Sequence, residues 1–103
     1  MAEEDLKKLI GEIILLCDPM YVYLVSSKHD NRGAVTSVKL CVVVGDGSDT
    51  RNEEKKLLIE TDTPIPVDFI VYNISDWNEY ASEDYSFAYR VENGGERLYV
   101  KSE

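Results

Sequence analysis

The sequence predicts one mixed α/β (α+β) domain over residues 1–103, with helices flanking a mixed β-sheet. Three observations predict it. The first segment has apolar residues at helical spacing, residues 35–44 form a long run rich in β-branched residues, and the later segments alternate between short apolar runs and helix-like patterns. The predicted order is α-β-β-α-β-α-α-β. A chain of 103 residues has room for one hydrophobic core.

The first predicted helix covers residues 3–17. Its apolar residues follow the i, i+3, i+4, i+7 spacing of one helix face: Leu6, Leu9, Ile10, Ile13, Leu16 and Cys17. Three acidic residues begin it, where the positive end of the helix dipole favours carboxylates. Asp18 and Pro19 end it, because proline disfavours the helical conformation of the residue before it.

Two strands are predicted next. Residues 20–26 (MYVYLVS) are rich in β-branched and aromatic residues, and the polar residues 27–33 are typical of a turn. In the second strand, residues 35–44 (VTSVKLCVVV), the even positions form a nearly continuous apolar face. Because side chains alternate along a strand, Ser37 and Lys39 are predicted to lie together on the opposite face.

The rest of the chain is predicted from caps and short apolar runs. Residues 45–49 are predicted as a loop, and Thr50 with Glu53 suggests a capping box opening a short helix to residue 58 or 59. Residues 67–72 (VDFIVY) predict the third strand. Ser75 and Ser82 are candidate N-caps of two short helices, the second ending at the glycines 94–95. Residues 97–101 predict a short strand at a sheet edge.

Composition restricts the possible partners. The net charge of −9 repels nucleic-acid phosphates and anionic lipid, so neither nucleic acid nor a membrane is an expected partner.

Cys17 and Cys41 lie in apolar stretches without metal-ligand or redox spacing, so we expect both to be reduced and largely buried. With no basic, apolar leader at the N-terminus, the expected location is the cytoplasm.

Several other residues are candidate sites for which simpler explanations exist. Asp46, Asp49 and Asp62 could gather around a cation, but acidic residues are common in turns. His29 has no serine or cysteine beside it as a nucleophile. The remaining group is aromatic, and helical spacing predicts that most of it is core, with any exposed ring an interface anchor: Trp77, Tyr80, Tyr85, Phe87 and Tyr89.

The C-terminal half carries a family resemblance. Asp68 interrupts an apolar strand (VDFIVY, residues 67–72), a helix follows, and residues 86–91 (SFAYRV) lead to a glycine pair and Leu98-Tyr99. This succession resembles the small nucleotidyltransferase domains of the DNA polymerase beta superfamily. Upstream, the first helix, the strand ending at Ser26-Ser27 and the long second strand follow the same order, so the resemblance covers nearly the whole chain.

The resemblance implies a metal site whose ligands have changed here. In the family, a Gly-Ser pair opens a phosphate-cradling turn, Ser-Asp-x-Asp follows on the second strand, and one Asp lies on the third; the carboxylates hold two divalent metals. In this sequence Ser26-Ser27 matches the Gly-Ser pair without its glycine. Ser37 and Lys39 match the two aspartates, and only Asp68 retains the carboxylate.

These departures predict a domain without catalytic residues, bound metal or cofactor, in which nucleotide binding is not expected. We expect Lys39 and Asp68 to face one cleft, with Ser37 beside them. There they either pair across adjacent strands, or Lys39 extends its charge to water while Asp68 faces solvent. The implied function is protein binding or self-association in an antitoxin-like or regulatory role. The alternatives are an active metal-dependent nucleotidyltransferase using Asp68 and a nucleotide-binding sensor.

Overall fold

A computed structural model describes residues 3–102 and confirms the predicted element order and mixed sheet. The elements are α1 (Glu3–Cys17), β1 (Tyr21–His29), β2 (Val35–Val44), α2 (Thr50–Glu60), β3 (Val67–Asn73), α3 (Ile74–Ala81), α4 (Phe87–Gly94) and β4 (Glu96–Val100). Within the described residues, none of the helices combines the length and the apolar character needed to cross a membrane.

The four strands form one sheet in the order β3-β2-β1-β4. β1 pairs antiparallel with both β2 and β4, and β2 pairs parallel with β3. The parallel pair needs a crossover connection, which α2 supplies. β4 lies at an edge of the sheet, as predicted, and β3 lies at the opposite edge.

Helices cover both faces of the sheet, and each face has its own hydrophobic cluster. Leu40, Val42 and Val44 of β2 belong to the cluster that includes residues of α1 and α2. Cys41 and Val43 belong to the cluster with residues of α3 and α4. The alternation predicted for this strand therefore holds only at its start, because from Leu40 onward both faces are buried.

β1 is longer than predicted and continues to His29. Backbone hydrogen bonds to β2 hold its polar end, so the strand does not depend on apolar side chains there. The turn is confined to the residues after His29. The Asp30 carboxylate accepts hydrogen bonds from the N–H groups of Arg32 (2.8 Å) and Ala34 (3.0 Å). Gly33, at φ 81°, adopts the left-handed conformation that glycine tolerates best.

The later helices begin at residues other than those predicted. The observed N-caps of α2, α3 and α4 are Asp49, Asn73 and Ser86, each accepting a hydrogen bond from the backbone N–H three residues on. Thr50 is instead the first residue of α2, Ser75 lies inside α3, and Ser82 is the C-cap of α3. Each predicted cap lies within a few residues of another residue of a type that caps helices. The sequence pattern alone does not show which of the two is the cap.

The two cysteines are free, and their burial differs. Cys41 is fully buried, and that burial raises the pKa of its thiol to about 12. Cys17 is only partly buried, which corrects the prediction that both are largely buried. Partial burial, a hydrogen bond with Glu53 and the negative charge of Glu53 together raise the pKa of Cys17 to about 12.

Candidate functional site

The predicted site residues lie on three neighbouring strands. Ser26 of β1 is opposite Lys39 of β2, and Lys39 is in turn opposite Asp68 of β3. Residues directly opposite one another on paired strands point to the same face of a sheet. Ser26, Lys39 and Asp68 therefore form a row across the sheet, and Ser37, opposite Lys28, begins a second row two residues along β2.

A β-bulge in β1 creates this row. Leu24 is opposite Leu40, but the next pair is Ser26 with Lys39, which leaves Val25 as the extra residue. In an unbroken ladder Val25 would be opposite Lys39, and Ser26 would point to the other face. The bulge redirects the serine, as bulges next to sites commonly do. No feature of the sequence indicated it.

The row forms part of an open groove with a volume of about 260 Å³. All five predicted site residues line it, together with Lys28 and Val38: Ser26, Ser27, Ser37, Lys39 and Asp68. Ser27 lies within β1 rather than in the expected turn, so no phosphate-cradling turn is formed at this pair. The sequence did not predict Lys28 as a site residue, because the polar residues 27–33 are typical of a turn. In a strand, residues two apart point to the same face, so Lys28 would have been expected beside Ser26.

Lys39 and Asp68 share the groove without forming an ion pair. Within residues 3–102, neither belongs to any ion pair. The Lys39 ammonium lies 5.7 Å from the centroid of the Phe87 ring, a cation–π arrangement, and Asp68 is exposed on its edge strand. Of the two arrangements predicted from the sequence, the structure has neither in full: Asp68 faces solvent, as in the unpaired one, but the Lys39 ammonium lies over Phe87 instead of extending to water.

Comparisons with protein-family models, with curated proteins and with solved structures found no match. The chemistry of the groove is therefore interpreted from its own residues.

The groove holds two ammonium groups, three serine hydroxyls and one carboxylate. A divalent cation prefers several oxygen ligands with carboxylates among them, and nearby ammonium groups repel it. Among residues 3–102, His, Cys, Asp and Glu side chains nowhere form a group of three suited to a metal. None of the serines has a histidine in the groove to act as its base. The groove presents hydroxyl, ammonium and carboxylate groups for polar and ionic contacts.

The other acidic candidates have structural roles and do not gather. Asp46 accepts hydrogen bonds from the hydroxyl and the N–H of Ser75, which lower the pKa of the Asp46 carboxyl. Asp49 caps α2. The N–H of Asp62 donates to Glu12, 3.3 Å away. His29 is exposed at the end of β1, as expected of a surface residue.

Proposed function

We propose that this chain is a catalytically degenerate nucleotidyltransferase-fold domain that acts by protein binding or self-association, in an antitoxin-like or regulatory role in the cytoplasm. One observation carries the proposal. Lys39 lies opposite Asp68 in the β2–β3 register, at the position where the resembled family has a metal-binding carboxylate. An ammonium group in that place is incompatible with the family's chemistry.

Two-metal phosphoryl transfer needs carboxylates that hold both ions close to the attacking and leaving oxygens. In this groove Asp68 is the one carboxylate, and Lys28 and Lys39 supply two positive charges. Ser37, at the other family aspartate position, offers a neutral hydroxyl. These residues support the proposal that the groove no longer catalyses phosphoryl transfer. They count against both an active enzyme and a metal-dependent nucleotide sensor.

A binding role is supported by large apolar side chains that the fold leaves in water. Leu15 of α1 is 88% exposed, Ile59 of α2 is 77% exposed and Tyr85, between α3 and α4, is 90% exposed. Leu15 and Ile59 lie on the two helices that cover one face of the sheet, and Tyr85 lies on the side of the other face, so each face offers an apolar side chain to a partner. The two free cysteines suit a reducing compartment.

Calorimetric titration tests the proposal. ATP and UTP are titrated into the protein with magnesium, with manganese and with chelator, and Asp68→Asn serves as the matched control. We expect no metal-dependent heat with either nucleotide. Tight, metal-dependent binding that Asp68→Asn abolishes would show that the groove is a working nucleotide site and would overturn the proposal.

A further inference from the structure

The helical pair α3–α4 carries a surface on which tyrosines and acidic residues are combined. Three tyrosines there are exposed: Tyr80 by 41%, Tyr85 by 90% and Tyr89 by 37%. Their backbones meet at Ser86, whose hydroxyl donates to the carbonyl of Tyr80 and accepts from the N–H of Tyr89. We refer to Tyr80, Tyr85, Tyr89 and the acidic residues around them as the tyrosine surface.

The charge of this surface is strongly one-sided. Residues 74–93 contain one basic side chain, Arg90, and five carboxylates: Asp76, Glu79, Glu83, Asp84 and Glu92. All five are exposed, and none forms an ion pair with another described residue. The fold therefore leaves these negative charges available to an external cation. Two of them, Glu83 and Asp84, immediately precede the exposed Tyr85 in the chain, and a cation also favours an aromatic ring.

The surface is held in place by internal hydrogen bonds. Between α3 and α4, the N–H of Glu83 donates to the carbonyl of Tyr80 (3.0 Å), and the N–H of Ser86 donates to the carbonyl of Glu83 (3.2 Å). Tyr85 has φ 69°, a conformation uncommon for a bulky residue, and its ring points away from the core. On α3, Tyr80 packs edge-on against Tyr72 with ring centroids 6.1 Å apart. An ordered surface loses little conformational entropy on binding.

We propose that the tyrosine surface docks a basic, arginine-containing segment of a partner protein. The inference rests on the proposed function and names the chemistry of the partner. A guanidinium group can stack on a tyrosine ring while it donates two hydrogen bonds to a carboxylate, which an ammonium group cannot do. We commit to a partner protein and not to a second copy, because a symmetric contact of two copies through this surface would bring the five carboxylates of each copy together.

The test uses a capped peptide of alternating arginine and glycine, titrated by calorimetry and by amide NMR, with the lysine analogue in parallel. We expect the arginine peptide to bind more tightly and to perturb the amide signals of α3 and α4. Tyr85→Gly removes the ring and keeps a residue that tolerates φ 69°, so the fold is retained while binding weakens about tenfold.

Two charge variants supply the matched control. Glu83→Gln/Asp84→Asn removes two charges from the tyrosine surface, whereas Glu4→Gln/Glu60→Gln removes two exposed charges from α1 and α2. We expect the first pair to weaken binding several-fold more than the second. Absence of peptide binding, equal effects of both pairs, or binding indifferent to Tyr85 would overturn the inference. None of these results bears on the nucleotide titration, so the two proposals fail separately.

Discussion

The Lys39 ammonium lies over the ring of Phe87, 5.7 Å from its centroid, although the register of β2 and β3 puts Lys39 directly opposite Asp68. Phe87 is the first residue of α4, so the lysine links the centre of the sheet to the helix that covers it. The side chain at the position where the resembled family has a metal-binding aspartate thus contacts Phe87, and Asp68 is exposed.

The first prediction concerns that contact. Lys39→Gln removes the charge but keeps most of the aliphatic stem, so we expect the free energy of unfolding to fall by about 0.5–1 kcal/mol. Asp68→Asn should change it by less than about 0.5 kcal/mol, because the carboxylate is exposed and unpaired. Urea denaturation measures both, and a loss of about 3 kcal/mol in either variant would indicate a buried ion pair and contradict this arrangement.

The second prediction concerns Trp77, which is 1% exposed and packs against Tyr23 and Tyr72. Among residues 3–102, its indole N–H is buried and finds no hydrogen-bond partner. Trp77→Ala leaves a large cavity and should cost about 3–5 kcal/mol. Trp77→Phe also removes the unsatisfied donor, which offsets part of the lost packing, and should cost only about 1 kcal/mol.

Denaturation followed by circular dichroism measures both variants, since Trp77 is the only tryptophan and its fluorescence is lost with it. If Trp77→Phe were as destabilising as Trp77→Ala, the indole N–H would have a partner in the folded protein. The interpretation that this N–H is buried without a hydrogen-bond partner would then be wrong.

The order of elements was predictable because the spacing of apolar residues and the runs of β-branched residues indicate which side chains are buried in the core. Leu9 and Ile13 are buried on α1, and Leu40 and Val42 are buried on β2, where periodicity placed them. The family resemblance predicted which residues would line the groove, but it did not predict the shape of the groove. Its shape depends on the bulge at Val25, a backbone feature that apolar pattern does not encode.

Other features depended on tertiary contacts. The polar end of β1, through His29, is a strand because β2 pairs with it. Whether Lys39 would meet Asp68 or Phe87 depended on where α4 packs, and the sequence order alone does not determine that. The capping residues Asp49 and Asn73 were missed because their neighbours Thr50 and Ser75 are also capping types.

The third prediction concerns alkaline pH. In the folded protein the thiol of Cys41 has its pKa raised from 9.0 to about 12 by burial. The unfolded thiol therefore ionises first. The stability that Cys41 confers is fully present below pH 9.0 and is lost as the pH rises toward about 12.

Urea midpoints measured across this range should fall with pH in the wild type, and less steeply in Cys41→Ala. Part of the slope should persist, because burial also raises the pKa of Cys17 to about 12 and raises the pKa values of Tyr23 and Tyr72. The same slope in both proteins would show that Cys41 is not shielded from water.

The fourth prediction concerns acid pH and the loop before α2. Hydrogen bonds from the hydroxyl and the N–H of Ser75 lower the pKa of Asp46 below 3.8, so its contribution to stability is present above that pH and is lost as the pH falls through the lowered value. Ser75→Ala removes the hydroxyl and should raise the pKa of Asp46 toward 3.8.

A carboxyl NMR titration reads this pKa directly. Ser48→Ala, in the same loop, is the matched control and should leave the Asp46 titration unchanged. An Asp46 pKa that does not move in Ser75→Ala would mean that the bond between these two side chains is not maintained in solution.

Manganese binding measured by electron paramagnetic resonance tests most directly the proposal that the groove does not hold a metal. The wild type is compared with Ser37→Asp/Lys39→Asp, which introduces carboxylates at both family positions beside Asp68, once circular dichroism has shown that the variant folds. We predict that the free-ion signal is unchanged by the wild type and falls with the double variant. A signal that falls with the wild type and recovers in Asp68→Asn would contradict the account.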